Sequence, residues 1–157
     1  MTHEYRATIR WARNGESFSD GRYSRGHAWS FDGGIEVPAS ASPSVVPLPF
    51  SLENAVDPEE AFVAAISSCH MLTFLAIAAK KRFVVDRYED KALGLMTKND
   101  GGKLYVSKVT LDPVIDFSGE KIPTPEQIAD LHHLSHQECF IANSVLTEIV
   151  VAGIPSH

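Results

Sequence analysis

Cysteine is scarce in this sequence: its 157 residues carry two, Cys69 and Cys139. Neither belongs to a CxxC pair and no HExxH segment is present, so the spacings that usually announce a zinc site are missing. Basic charge is short as well. There are 14 Lys and Arg against 20 Asp and Glu, the formal net charge is −6, and no Lys/Arg run breaks the balance. A nucleic-acid partner, which needs a basic surface, is therefore not expected. No basic stretch followed by an apolar run stands at the N-terminus, so no secretory leader is expected. The most apolar segment, Ala61 to Ala79, is interrupted by Ser67, Ser68, His70 and Thr73 and closely flanked by charge. It reads as a buried helix and not as a membrane span. The expected compartment is the cytoplasm, where a stable structural disulfide is not expected. The two cysteines are then either core filler or redox-active.

What is present points to an α+β protein. The apolar fraction of 44% and charged fraction of 22% are ordinary for a globular chain. No repeat, low-complexity tract or hinge-like linker divides it, so a single domain over residues 1–157 is expected. Tyr5 to Trp11 alternates polar and apolar residues, and Asn14-Gly15 follows as a turn. A second run, Tyr23 to Phe31, ends at Asp32-Gly33-Gly34, a hairpin signal that returns through Ile35-Glu36-Val37. Pro38 to Asn54 is rich in Pro and Ser and reads as a covering loop.

Asp57-Pro58-Glu59-Glu60 then announces a helix from Pro58 to about Lys81. Asp57 can cap it, Pro58 suits the first position, and Glu60 sits where a capping-box acid belongs. Phe62, Ala65, Ile66, Cys69, Leu72, Thr73 and Ala76 follow helical spacing and the opposite side is also apolar, which predicts burial nearly all round. Val84 to Lys98 and Lys103 to Phe117 flank Asn99-Asp100-Gly101-Gly102 as a hairpin. Thr124-Pro125-Glu126-Gln127 repeats the capping signature and opens a second helix to about Gln137, with Cys139 at or just past its end. Val145 to Ile154 reads as the closing strand. Strands, helix, hairpin, helix, strand is an α+β order.

Cys69 lies in Ser67-Ser68-Cys69-His70-Met71, where polar groups crowd an apolar helix and favour a pocket, since buried polar groups need partners. A free cysteine in a helix is otherwise a small core hydrophobe. Cys139 is 70 positions further on, in His136-Gln137-Glu138-Cys139-Phe140. If the two helices pack together, a disulfide is geometrically possible.

Asp57-Pro58-Glu59-Glu60, the small residues after it and Ser67-Ser68-Cys69 resemble the cysteine helix of the OsmC/Ohr family, the osmotically inducible and organic hydroperoxide resistance proteins. His136-Gln137-x-Cys139 with Asn143-Ser144 resembles that family's second cysteine motif, and the element order resembles its fold over nearly the whole chain. The resemblance implies a thiol peroxidase acting on organic hydroperoxides, an intertwined homodimer without metal, haem or other bound cofactor. Cys69 would attack the peroxide and become a sulfenic acid, and Cys139 would resolve it to a disulfide. An external thiol or a dihydrolipoyl protein would reset the pair. An arginine near an N-terminal strand, Arg25 by the match with Arg22 as the alternative, would favour the Cys69 thiolate. Glu59 matches the family glutamate at the start of the cysteine helix. Ten helical residues put Glu59 about 15 Å from Cys69 along the axis, so it would act through an arginine or from a partner subunit. The site is therefore expected at a dimer interface.

Two positions depart from the family pattern. Phe140 follows Cys139 where many relatives have Pro, and His70 follows Cys69 where an apolar residue is common. They suggest an OsmC-like branch. His70 is either a neutral core residue or, if charged, an aid to thiolate formation. Trp29, Phe62, Phe74 and Phe140 are candidates to line a pocket for bulky organic peroxides. Two other readings stay open: an OsmC-like module that binds a small apolar ligand or senses redox state without catalysis, and a metal-binding stress protein using His70, His132, His133 and His136.

Overall fold

The computed structural model describes residues 1–156. They form two compact units, one ending at Ala61 and the other starting at Phe62. The first unit holds an antiparallel sheet of β1 (Ala7–Arg10), β2 (His27–Phe31) and β3 (Glu36–Ala39), with β2 in the centre. Ile9 pairs with Trp29, and Trp29 with Val37. The turn between β2 and β3 closes where Gly34 takes a φ of +86°, and its N–H donates to Phe31 O at 3.0 Å. Both residues of the Asn14-Gly15 turn are left-handed as well, which Asn and Gly tolerate. The segment after β3 has no regular ladder. Ser40 N–H donates to Val56 O, Ser40 Oγ accepts from Leu52 N–H, and Ser51 Oγ donates to Val46 O. Buried serines supply the pairing that a strand would otherwise provide.

The helix α1 (Pro58–Lys80) starts as its sequence dictates. Glu60 N–H donates to Asp57 Oδ1 at 2.8 Å and Asp57 N–H to Glu60 Oε2 at 3.3 Å, a reciprocal capping box. It stops in a Schellman arrangement. Arg82 adopts a φ of +66°, Phe83 N–H donates to Ala78 O, and Arg82 N–H donates to Ala79 O. Lys121 Nζ donates to the free Lys81 carbonyl at 2.7 Å and lies over the Phe83 ring.

By length and composition α1 could cross a membrane. In the second unit it is instead a packing helix whose Ile66, His70, Phe74 and Ala78, four residues apart, are buried. It is not buried all round as the sequence suggested. Ala64, Ala65, Ser68, Leu72, Ala76 and Ala79 are exposed, because protein packs on one face only.

The expected long hairpin is split into two sheets. β4 (Val84–Asp90) pairs with β7 (Pro113–Ser118), and β5 (Leu93–Lys98) with β6 (Leu104–Leu111), both antiparallel. Asp90 marks the break: Oδ1 accepts from Asp112 N–H at 2.7 Å and Oδ2 accepts from Ser67 Oγ. β8 (Glu148–Val151) joins β6 in parallel, shorter than the strand expected over residues 145–154. α2 (Pro125–Glu138) opens with the Thr124/Gln127 capping box. Two buried clusters result. Ile66 packs with Val109 and Leu111, and Phe74 and Ala78 with Phe83 and Leu131, leaving His70 at the helical turn between them.

Candidate active site

Cys69 is half-buried in the middle of α1, where Thr73 Oγ1 donates back to its carbonyl at 2.9 Å. Cys139 is the C-cap of α2, with a φ of −69° and ψ of 118°, and is buried. The chain leaves the helix there because the last carbonyls find other donors. Asn143 Nδ2 donates to both Gln137 O and Cys139 O at 2.9 Å, and a short 3-10 turn over Ala142–Ser144 follows. Phe140, the departure from the family pattern, points away and is 81% exposed. The Cys139 sulfur is still aimed inward. Its thiol donates to Cys69 Sγ over 2.8 Å, across 70 residues of sequence. Burial first, then this hydrogen bond, pushes the Cys139 thiol up to about 11, while the Ala142 N–H directed at the sulfur works the other way. Cys139 thus keeps its proton at neutral pH.

Beside this contact lies a second one that the sequence did not reveal. His70 Nε2 and His132 Nδ1 are 2.9 Å apart, their rings stacked at 5.3 Å with an interplanar angle of 11°. The Phe74 ring lies 4.7 Å from His132. Burial depresses both imidazoles to about 4, helped at His70 by repulsion from His132 and His136 and at His132 by repulsion from His133. His70 is therefore neutral at physiological pH, so it fits the core residue of the two roles weighed for it. His132 lies seven residues, two helical turns, before Cys139 and on the same face, a spacing that carried the signal. Among the described residues no three His, Cys, Asp or Glu side chains gather as a cation site.

Arg25 and Glu59 belong to the first unit. Arg25 is half-buried, its Nη1 donating to Gly21 O and Tyr23 O at 2.7 and 2.5 Å and its guanidinium lying 3.7 Å from the Tyr23 ring centroid. Arg22 is exposed. Arg25 borders a cleft of about 510 Å³ lined chiefly by Trp11, Phe18, Tyr23 and His27. Phe18 and Tyr23 stack at 4.7 Å with Trp11 inclined to both, and Trp11 Nε1 is pinned to Ser24 O. His27 Nδ1 faces Arg25 O while its Nε2 accepts from Trp29 Nε1, which defines the neutral tautomer with the proton on Nδ1. Glu59 lies half-buried in the first turn of α1, without a side-chain hydrogen bond among the described residues.

The aromatic residues expected to line a pocket are placed otherwise. Phe74 is sealed in the core, Phe62 packs against Ile66, Val109 and Leu111, Phe140 faces solvent, and Trp29 holds His27. Burial claims large aromatics before any cleft does.

The OsmC-like protein family model matches residues 51–152. An OsmC-like protein of unknown function from Vibrio cholerae is 56% identical, with 96% of this chain and 98% of that one covered at a TM-score of 0.93. The organic hydroperoxide resistance protein of Elizabethkingia anophelis shares the fold at 16% identity, TM-score 0.70, over 96% of each chain. OhrB of Bacillus subtilis, also an organic hydroperoxide resistance protein, does so at 14% identity, TM-score 0.65, over 95% of this chain and 96% of that one. No curated protein matches the sequence. With a family match over both cysteines and a solved relative at this identity, the chain belongs to the OsmC-like protein family.

Proposed function

We propose that this protein is a cysteine peroxidase that reduces organic hydroperoxides, and hydrogen peroxide less well, in the cytoplasm. The observation that carries the reading is the approach of Cys139 Sγ to within 2.8 Å of Cys69 Sγ. In this reading the Cys69 thiolate attacks the terminal peroxide oxygen. The O–O bond breaks, an alcohol leaves once protonated, and Cys69 becomes a sulfenic acid. Cys139 then attacks that sulfur, losing its proton as the sulfenic oxygen departs as water, and a Cys69–Cys139 disulfide remains. Two small external thiols, or one dihydrolipoyl protein, take the disulfide back to two thiols and are themselves oxidised to a disulfide. No metal or organic cofactor is needed for this cycle.

The roles divide by environment. Cys139 keeps its proton and donates it towards Cys69, so Cys69 acts first. Arg25 and Glu59 are the proposed supporting pair, Arg25 to favour thiolate and peroxide oxygen and Glu59 to orient the guanidinium, in a site completed by a homodimer. The organic hydroperoxide resistance proteins of Elizabethkingia anophelis and Bacillus subtilis, which share the fold, support the substrate class.

A second reading, a non-catalytic module that binds a small apolar ligand, is favoured by the aromatic cleft of the first unit. One experiment separates the two. Reduced protein is mixed with cumene hydroperoxide and free thiols are counted under denaturing conditions. The peroxidase reading expects rapid loss of both thiols in wild type and an inert Cys69→Ser variant. Thiols that persist for hours hand the protein to the binding reading.

A further inference from the structure

Two sulfurs held at 2.8 Å need something to hold them, and their own hydrogen bond is a weak one. Cys139 sits past the last turn of α2, where helices fray. The apolar contacts of α1 with α2, such as Phe74 with Leu131, supply adhesion but little direction. Among the described residues two side-chain hydrogen bonds join these helices: the sulfur pair and His70–His132. Their footing differs on each helix. On α1 they stand on adjacent residues, 69 and 70, while on α2 they stand two turns apart, at 132 and 139. α2 therefore crosses α1 instead of running along it, and a single thiol contact would leave it free to pivot about that point. The imidazole pair removes the freedom. A nitrogen-to-nitrogen hydrogen bond requires one ring to present N–H and the other a lone pair, so it couples the two tautomers, and the near-parallel rings resist tilt.

We propose that the His70–His132 hydrogen bond is a positioning device for the cysteine pair, fixing how α2 crosses α1 so that Cys139 Sγ meets Cys69 Sγ. The inference rests on the redox reading of the two cysteines above. The histidines touch neither peroxide nor the reacting sulfurs in this role; they act through the helices.

The test is a thiol–disulfide equilibrium, which does not depend on peroxide turnover. Reduced protein is equilibrated in mixtures of reduced and oxidised glutathione, where two protein thiols and one glutathione disulfide give a protein disulfide and two glutathione thiols. The effective concentration of the pair follows from thiol counts, and Tm is measured for both redox forms. His132→Leu keeps apolar volume without a hydrogen-bonding atom, whereas His132→Asn puts an amide atom at the position of Nδ1. The expected result is a drop of about tenfold in effective concentration for His132→Leu, with His132→Asn restored to within about threefold of wild type, the scale of one net hydrogen bond. A His132→Leu protein with lowered Tm in both redox forms but an unchanged effective concentration would overturn the proposal, since the pair would then be packing alone. Should His132→Leu fail to fold, His70→Met against His70→Gln carries the same contrast, because Gln returns an amide atom to the Nε2 position. Equal effective concentrations for those two also overturn it. Wild-type protein that forms no Cys69–Cys139 disulfide at any glutathione ratio defeats the peroxidase reading itself, a different failure with a different signature.

Discussion

The two units hold themselves together by different means. In the second, large apolar side chains are fully buried: Ile66, Phe74, Val109, Leu111 and Leu131 are all sealed from solvent. In the first, Ala39 is the one apolar residue among those buried, and Ile9, Trp11, Phe18 and Ile35 stay exposed. Its geometry rests on polar pins instead, such as Trp11 Nε1 on Ser24 O, Arg25 Nη1 on two carbonyls, and the loop serines. Burial gives cooperativity and resistance to change, whereas pins hold open a cleft that burial would have collapsed. A unit built the second way suits binding, and one built the first way suits holding two reactive sulfurs still.

Substitutions sharpen this contrast. Phe74→Ala, which empties the centre of the second unit's core, should cost about 3–5 kcal/mol in chemical denaturation. Ile35→Ala, at a 65% exposed position in the first unit, should stay within about 0.5 kcal/mol. Comparable losses at the two positions would erase the distinction.

Acid should strike the second unit next hardest. His70 and His132 titrate at about 4 when folded against an ordinary value near 6.5, so the unfolded chain takes up protons first. Stability should therefore be full above about pH 6.5, fall as pH drops towards 4, and level off below, by on the order of a few kcal/mol in total. Denaturation midpoints across this range would show the slope, and it should flatten in a His70→Gln/His132→Asn variant. A wild-type profile already flat over the window would mean that the pair is not buried neutral.

Smaller effects test the helix ends. Asp57→Ala removes the α1 cap and should cost about 1 kcal/mol by thermal or denaturant unfolding, with Asp57→Asn close to wild type. Arg82→Gly should run the other way. It relieves a left-handed non-glycine residue and should raise stability by up to about 1 kcal/mol. A loss there would show that the arginine side chain contributes more than its backbone strain costs.

These helix ends were also the most legible part of the sequence. Asp57/Glu60 and Thr124/Gln127 cap through groups three residues apart, so the signal and the structure lie in the same short window. The Asp32-Gly33-Gly34 turn was legible for the same reason. The split of the long hairpin was not, because it depends on Asp90 reaching Asp112 and Ser67, residues remote in sequence. Burial round α1 was overstated, since alanine and leucine read alike whether or not anything packs on them. At the candidate site, the motifs named Cys69 and Cys139, but only folding shows their sulfurs 2.8 Å apart. His132 was visible only as a possible metal ligand, because a partner for His70 had to be supplied by a second helix. The aromatics of the cleft were not legible as a group, because Trp11 and Tyr23 read as ends of strand runs and Phe18 lies between those runs.

The place of β8 has a consequence for synthesis. It lies parallel to β6, so residues 148–151 must travel back across α2 to complete a sheet begun at residue 93. The second unit cannot close while those residues are still inside the ribosome. A chain cut short before Glu148 would leave β6 with an open edge, the sort of edge on which chains aggregate.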